Sequence, residues 1–246
     1  VQLCIEHLHT DFERFRAQLG PECVVINCIG RLPGTSPEAL EQANTTFPRQ
    51  LATLLANTPY RLIHISTDAV FAKDAGIVFE DSVPHPDDLY GQTKKAGEIH
   101  SPTALTIRTS LLGFNAHKNT GLLEWIRHNP EPIIDGYSTQ QWSGCTTLQY
   151  AQLCEFLADD EHFHHIRSQT SVLHFAPLVS DKYTIVHTTC QLLHLQKEIK
   201  RVESKAVTRV LRSHFNSLLR QLPMHTSIEA AIDELLAFEK NIPYIE

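Results

Sequence analysis

A tyrosine and a lysine stand four residues apart in Tyr90-Gly91-Gln92-Thr93-Lys94. In a helix, positions i and i+4 share one face, so the phenol and the ammonium can meet. A cation beside a phenol favours the phenolate and lowers its pKa from the ordinary value of about 10. A tyrosine tuned in this way donates or accepts a proton near neutral pH. Upstream, Arg61-Leu62-Ile63-His64-Ile65 reads as a buried strand and runs into Ser66-Thr67-Asp68, which offers hydroxyls at the strand end. A hydroxyl there, followed by Tyr and Lys on the next helix, is the arrangement that carbonyl reduction needs. Both residue types are also common on amphipathic helices, where such a pair only covers an apolar edge.

The elements that must hold these groups alternate along the chain. Residues 21–30 form a β-branched run closing on Gly30, the pattern of a buried parallel strand. Residues 36–57 read as a helix with Pro37 near its start, 61–65 as a strand, 90–100 as a helix and 104–110 as a strand. This order predicts a doubly wound, Rossmann-like parallel sheet with right-handed crossovers. Ligands of such sheets sit at the carboxyl ends of the strands, where residues 27–30, 66–67 and 108–110 fall. After Gly113 the pattern changes. Helices are expected at 122–127, 146–157, 181–195 and 227–240, with short strands at 132–137 and 172–175. The expectation is a core in residues 1–113 and a small substrate lobe, interleaved with the last strands, in residues 114–246.

Composition bounds the function. A chain of 246 residues, 42% hydrophobic and 20% charged, suits one large α/β domain with a small lobe and can bury a proper core. A net charge of −7 argues against general nucleic-acid binding. No apolar run approaches the ~20 residues of a membrane span, and no signal peptide is visible. Six cysteines without a C-x-x-C pair read as thiols in a reducing cytosol, so a cytoplasmic protein is expected. Fifteen histidines read as compositional bias. Their densest cluster, His162, His164 and His165 after Asp159-Asp160-Glu161, resembles a solvated helix end more than a metal site, and no metal is expected.

The ordered run Ser66-Thr67-Asp68-Ala69-Val70-Phe71, an acidic loop with Pro84 and Pro86, then Tyr90-Gly91-Gln92-Thr93-Lys94-Lys95-Ala96-Gly97-Glu98 resembles the extended short-chain dehydrogenase/reductase family. Within it the likeness is to the dTDP-4-dehydrorhamnose reductase branch, whose pattern is S-T-D-x-V-F followed by Y-G-x-[ST]-K-x-x-G-E. The resemblance implies NADP- or NAD-dependent reduction of a nucleotide-linked 4-keto sugar in surface polysaccharide synthesis, and leaves room for a homodimer. It makes Thr67 the hydroxyl on the substrate carbonyl, with Ser66 able to share the task. It makes Tyr90 the proton donor, and Lys94 the residue that lowers the tyrosine pKa and holds the nicotinamide ribose. Cys28, Ile29 and Gly30 match a strand end whose backbone lines the cofactor, although plain strand packing explains them equally. Asn44, in a stretch matching "v-N-x-x-x-p-x-x-L-A", is implied to tie its helix to the active-site strand through water. Arg108-Thr109-Ser110 matches the "R-T-S" stretch at the nicotinamide end.

The substrate side departs from the family. Where the reductases carry Q-x-G-x-P-T, this chain has Gln141-Trp142-Ser143-Gly144-Cys145-Thr146, with Ser143 and Cys145 in place of the usual glycine and proline. Thr146 and Trp142 are candidates for the substrate. The indole suits stacking on a base or sugar, and suits a core anchor equally well.

No G-x-x-G-x-x-G or G-x-G-x-x-G occurs, although a dinucleotide fold uses such a turn to approach the pyrophosphate. The first residues resemble the family's second and third strands: Val1–Ile5 is strand-like and Leu8-His9-Thr10-Asp11 resembles the family's "l-D-l-t-D" stretch. The first strand and glycine turn are therefore expected upstream of residue 1. A sheet lacking its central first strand exposes unpaired edges. Two rivals to the reductase remain. One is an epimerase or dehydratase, weakened because Thr67-Asp68-Ala69 lacks the Asp-Glu that dehydration uses. The other is a non-catalytic subunit, since the regulatory subunit of methionine adenosyltransferase is similar to the same branch.

Overall fold

The structure, a computed structural model, describes Phe12, Arg16, Gly20 and residues 23–114 and 121–241. The expected strand at Val1–Ile5 and the Leu8–Asp11 stretch lie outside these residues. By compactness the chain divides into two units of interleaved segments. Unit 1 comprises Val1–Ala72, Glu80–Arg108 and Phe156–His174; unit 2 comprises Lys73–Phe79, Thr109–Glu155 and Phe175–Glu246.

Unit 1 is built on four parallel strands in chain order across the sheet: β1 (Val24–Asn27), β2 (Arg61–Ile65), β3 (Ala104–Arg108) and β4 (Val172–His174). β2 and β3 are almost wholly buried, with the polar side chains of Arg61, His64, Thr106 and Arg108 buried among their apolar residues. Among the described residues β1 is an edge, pairing only with β2. The helices of the unit are α1 (Pro37–Glu41), α2 (Phe47–Leu55), α3 (Leu89–Ala96) and α4 (Asp160–Arg167). Ser36 caps α1 by accepting the Ala39 N–H, and Pro37 follows as the first helical residue. A π-helical stretch, Gln42–Thr46, joins α1 to α2, so the expected continuous helix over 36–57 carries a widened turn at Asn44. Phe47, Leu51 and Leu55 of α2 pack with Tyr60, Leu62, Ile99, Ala104 and Phe12 into one apolar cluster. The histidine-rich segment is α4, capped by Asp159, with Phe163 and Ile166 fully buried.

Several boundaries differ from expectation; the strand read over 21–30 is Val24–Asn27, and the helix read over 181–195 is Lys182–Leu192. The helix predicted to reach residue 100 ends at Ala96. The strand predicted over 104–110 ends at Arg108, and the chain pairs again at Leu111–Leu112 in unit 2. That second pairing belongs to a three-stranded sheet, Leu111–Leu112, Gln141–Thr146 and Leu178–Asp181, parallel at the first junction and antiparallel at the second. Two parallel pairs complete the unit's strands: Ile133–Tyr137 with Glu198–Val202, and Ile77–Val78 with Val210–Leu211. Its core gathers Leu112, Leu123, Ile126, Ile134, Ile185, Val186, Cys190, Ile232, Leu235 and Leu236. Among the described residues no helix is long and apolar enough to cross a membrane, and no three His, Cys, Asp or Glu side chains gather as a metal would need.

Candidate active site

The carboxyl ends of β1, β2 and β3 carry most of the expected chemistry of unit 1. β2 passes into Ser66, whose N–H donates to the Ile107 carbonyl at 2.7 Å, and then into Thr67 in extended backbone. Thr67 caps a 3-10 turn, Asp68–Val70: its Oγ accepts the Ala69 N–H and donates to Asp68 Oδ1, both at 3.2 Å. α3 lies directly on this turn. A Cβ added at Gly91 would stand 2.2 Å from the Ala69 carbonyl oxygen, closer than any side chain tolerates. Glycine at the second position of the Tyr-Gly pair therefore lets the tyrosine-bearing helix approach the threonine-bearing turn. Gly91→Ala is expected to cost about 1–3 kcal/mol as α3 moves off the turn. An unchanged urea midpoint would contradict this.

α3 begins at Asp88, whose Oδ1 accepts the Gly91 N–H at 2.8 Å. Tyr90 is half-buried in its first turn and Lys94, one turn later, is buried. The Lys94 ammonium donates to the Ile65 carbonyl at 2.7 Å, at the end of β2. Loss of solvent pulls its pKa down to about 8, against the opposing pull of Glu98 and Cys28. The helix closes at Gly97, where an added Cβ would stand 1.8 Å from the Asn44 carbonyl oxygen.

Asn44 is a clasp. It is fully buried; its Oδ1 accepts the Arg31 N–H at 2.8 Å, and its Nδ2 donates to the Arg31 carbonyl at 3.0 Å and to Thr93 Oγ at 3.2 Å. These bonds join the loop after β1 to α3, whereas the tie expected from this asparagine was to the active-site strand. Cys28, Ile29 and Gly30 form that loop and are exposed. Gly30 lies beside the same pair, since a Cβ there would stand 3.3 Å from Asn44 Oδ1 and 3.8 Å from Lys94 Nζ.

Behind these groups runs a buried polar chain that the sequence did not announce. Arg108 grips Glu98 with two bonds, Nε to Oε1 at 2.7 Å and Nη2 to Oε2 at 2.8 Å, with both side chains at most 4% exposed. Ser66 Oγ donates to the same Oε1 at 2.8 Å. Arg108 Nη1 lies 3.3 Å from His174 Nε2, and a guanidinium only donates, so His174 accepts there. Phe71 sits under the guanidinium at 5.1 Å. A hydroxyl has one proton, and that of Ser66 is directed at a carboxylate. Ser66 therefore has no donor to offer a substrate oxygen in this arrangement, and its place is structural. Glu98 stood in the quoted motif, three residues past Lys95, and that was the available signal for it.

The remaining expected residues belong to unit 2. Thr109 is buried with Oγ 3.3 Å from Cys145 Sγ, and burial pushes the Cys145 thiol up to about 12. Ser110 Oγ accepts the Trp142 indole N–H at 2.9 Å, and Trp142 also packs partly against the unit 2 core. Gly144 makes this possible, because a Cβ there would stand 1.9 Å from the Ser110 carbonyl oxygen. Ser143, the departure from the family glycine, accepts the Leu211 N–H at 2.9 Å. Thr146 is fully buried and exchanges bonds with Gln149, side chain to backbone in both directions at 3.1 Å, which caps the helix Thr147–Ala158.

Comparison with known proteins gives a family. The model of the RmlD substrate binding domain matches residues 34–234. A dTDP-4-dehydrorhamnose reductase of Mycolicibacterium smegmatis is 36% identical over 111 residues, 41% of this chain and 34% of that protein. Methionine adenosyltransferase 2 subunit beta of Xenopus laevis is 38% identical over 79 residues, 30% of this chain and 24% of that protein. The chain thus spans well under half the length of these curated relatives. The solved dTDP-4-dehydrorhamnose reductase of Bacillus anthracis, in complex with NADP, superposes with a TM-score of 0.77 at 16% identity, over 96% of this chain and 85% of that one. At that identity the likeness shows the fold, a Rossmann-like α/β fold with a parallel sheet.

Proposed function

The chain belongs to the RmlD substrate binding domain family, and from that premise we propose that it reduces a nucleotide-linked 4-keto sugar with NADPH or NADH, in surface polysaccharide synthesis. The observation that carries this reading is the approach of α3 to the end of β2. Gly91 lets the helix sit on the Thr67 turn, while Lys94, desolvated, holds the Ile65 carbonyl just before it.

The residues present suit a nicotinamide nucleotide. Gly30 leaves the space beside Asn44 Oδ1 and Lys94 Nζ without a side chain, and the exposed loop 28–31 offers backbone to a ligand. When bound, the reduced nucleotide supplies the hydride for the keto carbon. Lys94 and the loop 28–30 are the groups that would hold it. Tyr90 delivers the proton to the carbonyl oxygen, so the keto group becomes an alcohol and the tyrosine is left as phenolate. The Lys94 ammonium favours that phenolate by its charge. Thr67 is the hydroxyl donor: its proton rests on Asp68 Oδ1 at 3.2 Å, a long bond that a carbonyl oxygen can replace. In this reading unit 1 carries the cofactor and the proton donor. A homodimer and a cytoplasmic location rest on the family likeness.

The second reading, a binding or regulatory subunit of the same fold, is favoured by the similarity to the methionine adenosyltransferase subunit. One assay separates the two: NAD(P)H consumption by the protein against a panel of nucleotide-4-keto sugars, beside Tyr90→Phe. Turnover that disappears in the variant supports the reductase and names the sugar. Cofactor binding without turnover on any sugar removes the reductase and leaves the regulatory subunit.

A further inference from the structure

A histidine in the middle of a buried strand is unexpected in an otherwise apolar run. His64 is fully buried in β2 and pairs in register with Asn27 of β1, itself 3% exposed. The two side chains meet: Asn27 Nδ2 lies 3.0 Å from His64 Nδ1. Asn27 Oδ1 accepts the Ile29 N–H at 3.0 Å, which fixes which end of the amide faces the histidine. An amide NH₂ only donates, so His64 Nδ1 is the acceptor and the ring proton stands on Nε2. Nε2 is buried and meets no partner among the described residues. Burial, then the nearby Lys94 charge, pushes the imidazole down to about 3. The ring thus stays neutral at working pH, and Asn27 always finds an acceptor.

The consequences reach the loop after β1. Ile29 and Arg31 both give their N–H to buried amides, Ile29 to Asn27 and Arg31 to Asn44. Asn44 is anchored on α3 through Thr93, whereas Asn27 is anchored on His64. The residue after His64, Ile65, offers the carbonyl that Lys94 holds. One imidazole therefore stands, through Asn27 on one side and the next residue's carbonyl on the other, between the loop and the lysine.

We propose that His64 is a positioning residue, which through Asn27 sets the backbone of the loop 28–31 that receives the nicotinamide nucleotide. This rests on the reductase reading for the identity of the ligand, and on the hydrogen bonds for the positioning.

Two substitutions and two readouts test it on the full chain. His64→Leu removes the acceptor and leaves Asn27 Nδ2 unpaired. His64→Asn places an amide oxygen where Nδ1 stood. Binding of NADPH and NADH is followed by the fluorescence of the reduced nicotinamide, and amide hydrogen exchange is followed at Ile29. His64→Leu is expected to weaken nucleotide binding by about tenfold, the effect of one buried donor left unpaired, and to speed exchange at Ile29. His64→Asn is expected to recover both. A Leu variant that melts earlier but binds and exchanges like the parent overturns the proposal, as does an Asn variant no better than Leu. If the parent binds neither nucleotide, the reductase reading falls, and Ile29 exchange alone decides: fast in Leu and slow in Asn upholds the positioning, equal rates remove it.

Discussion

A Lys94→Met chain is expected to be more stable than the parent and nearly inactive. The stability follows from the low pKa. An ordinary lysine holds its proton to about 10.5, and Lys94 loses it near 8 because the folded chain strips the ammonium of water. A depression of that size corresponds to about 3 kcal/mol against the charged form. Between these two values the unfolded chain binds the proton and the folded chain does not, so parental stability rises with pH across that window. Below about 8 the penalty is complete. Methionine keeps the stem and removes the charge, but gives up the bond to the Ile65 carbonyl, so the net gain at pH 7 is about 1–3 kcal/mol. This gain should shrink as pH climbs from 8 toward 10. Turnover should fall about 10²–10⁴-fold in Lys94→Met and in Tyr90→Phe, the range expected when a proton donor or the group that tunes it is lost. In the parent, turnover should decline above about pH 8 as Lys94 loses its charge. Denaturant melts at pH 7 and pH 10, beside pH–rate profiles, check each part. A Met variant less stable than the parent at pH 7 would show that the Ile65 bond outweighs desolvation.

What could be read in the sequence was whatever one segment decides by itself. Arg61–Ile65 is a strand because its apolar run is buried by neighbours on both sides, and it matched residue for residue. Ser36 and Pro37 marked a helix start, and they cap it. What stayed hidden depends on two segments meeting. The π-helical turn at Gln42–Thr46 has no composition of its own, and its place is seen only where Gly97 rests on the Asn44 carbonyl. Residues 141–145 were given no secondary structure in the sequence, and Gln141–Thr146 is a strand, because Gly144 at its centre answers the Ser110 carbonyl rather than a strand propensity. Most telling is Glu98. A helix read through to residue 100 gave no place to this carboxylate. Ending the helix at Ala96 turns it inward, to Arg108. The tyrosine and lysine were legible as a pair, but the lysine's bond to Ile65 required knowing that α3 crosses the end of β2.

That inward turn sets up the second large effect. Glu98→Gln is expected to destabilise the fold by about 3–5 kcal/mol, because it leaves the Arg108 guanidinium charged and unpaired at 3% exposure. For a chain of this length that lowers the melting temperature by roughly 10 °C. The glutamine amide also puts an NH₂ against one guanidinium N–H, so one of the two parallel bonds becomes a clash of donors. A double variant, Glu98→Met with Arg108→Leu, should recover most of the stability, since a buried ion pair is often no better than apolar groups of similar volume. It should not recover turnover. The pair does more than fill space: Glu98 Oε1 fixes the Ser66 hydroxyl, and Ser66 carries the backbone into Thr67. In the double variant Ser66 loses its acceptor on Glu98 and His174 loses the Arg108 donor, so the strand ends beneath the reacting groups lose their common anchor. A double variant that is stable and fully active would mean that the network only holds the fold. A stable variant with depressed turnover and an intact nucleotide Kd would place the effect at the Thr67 end, apart from the loop that His64 holds.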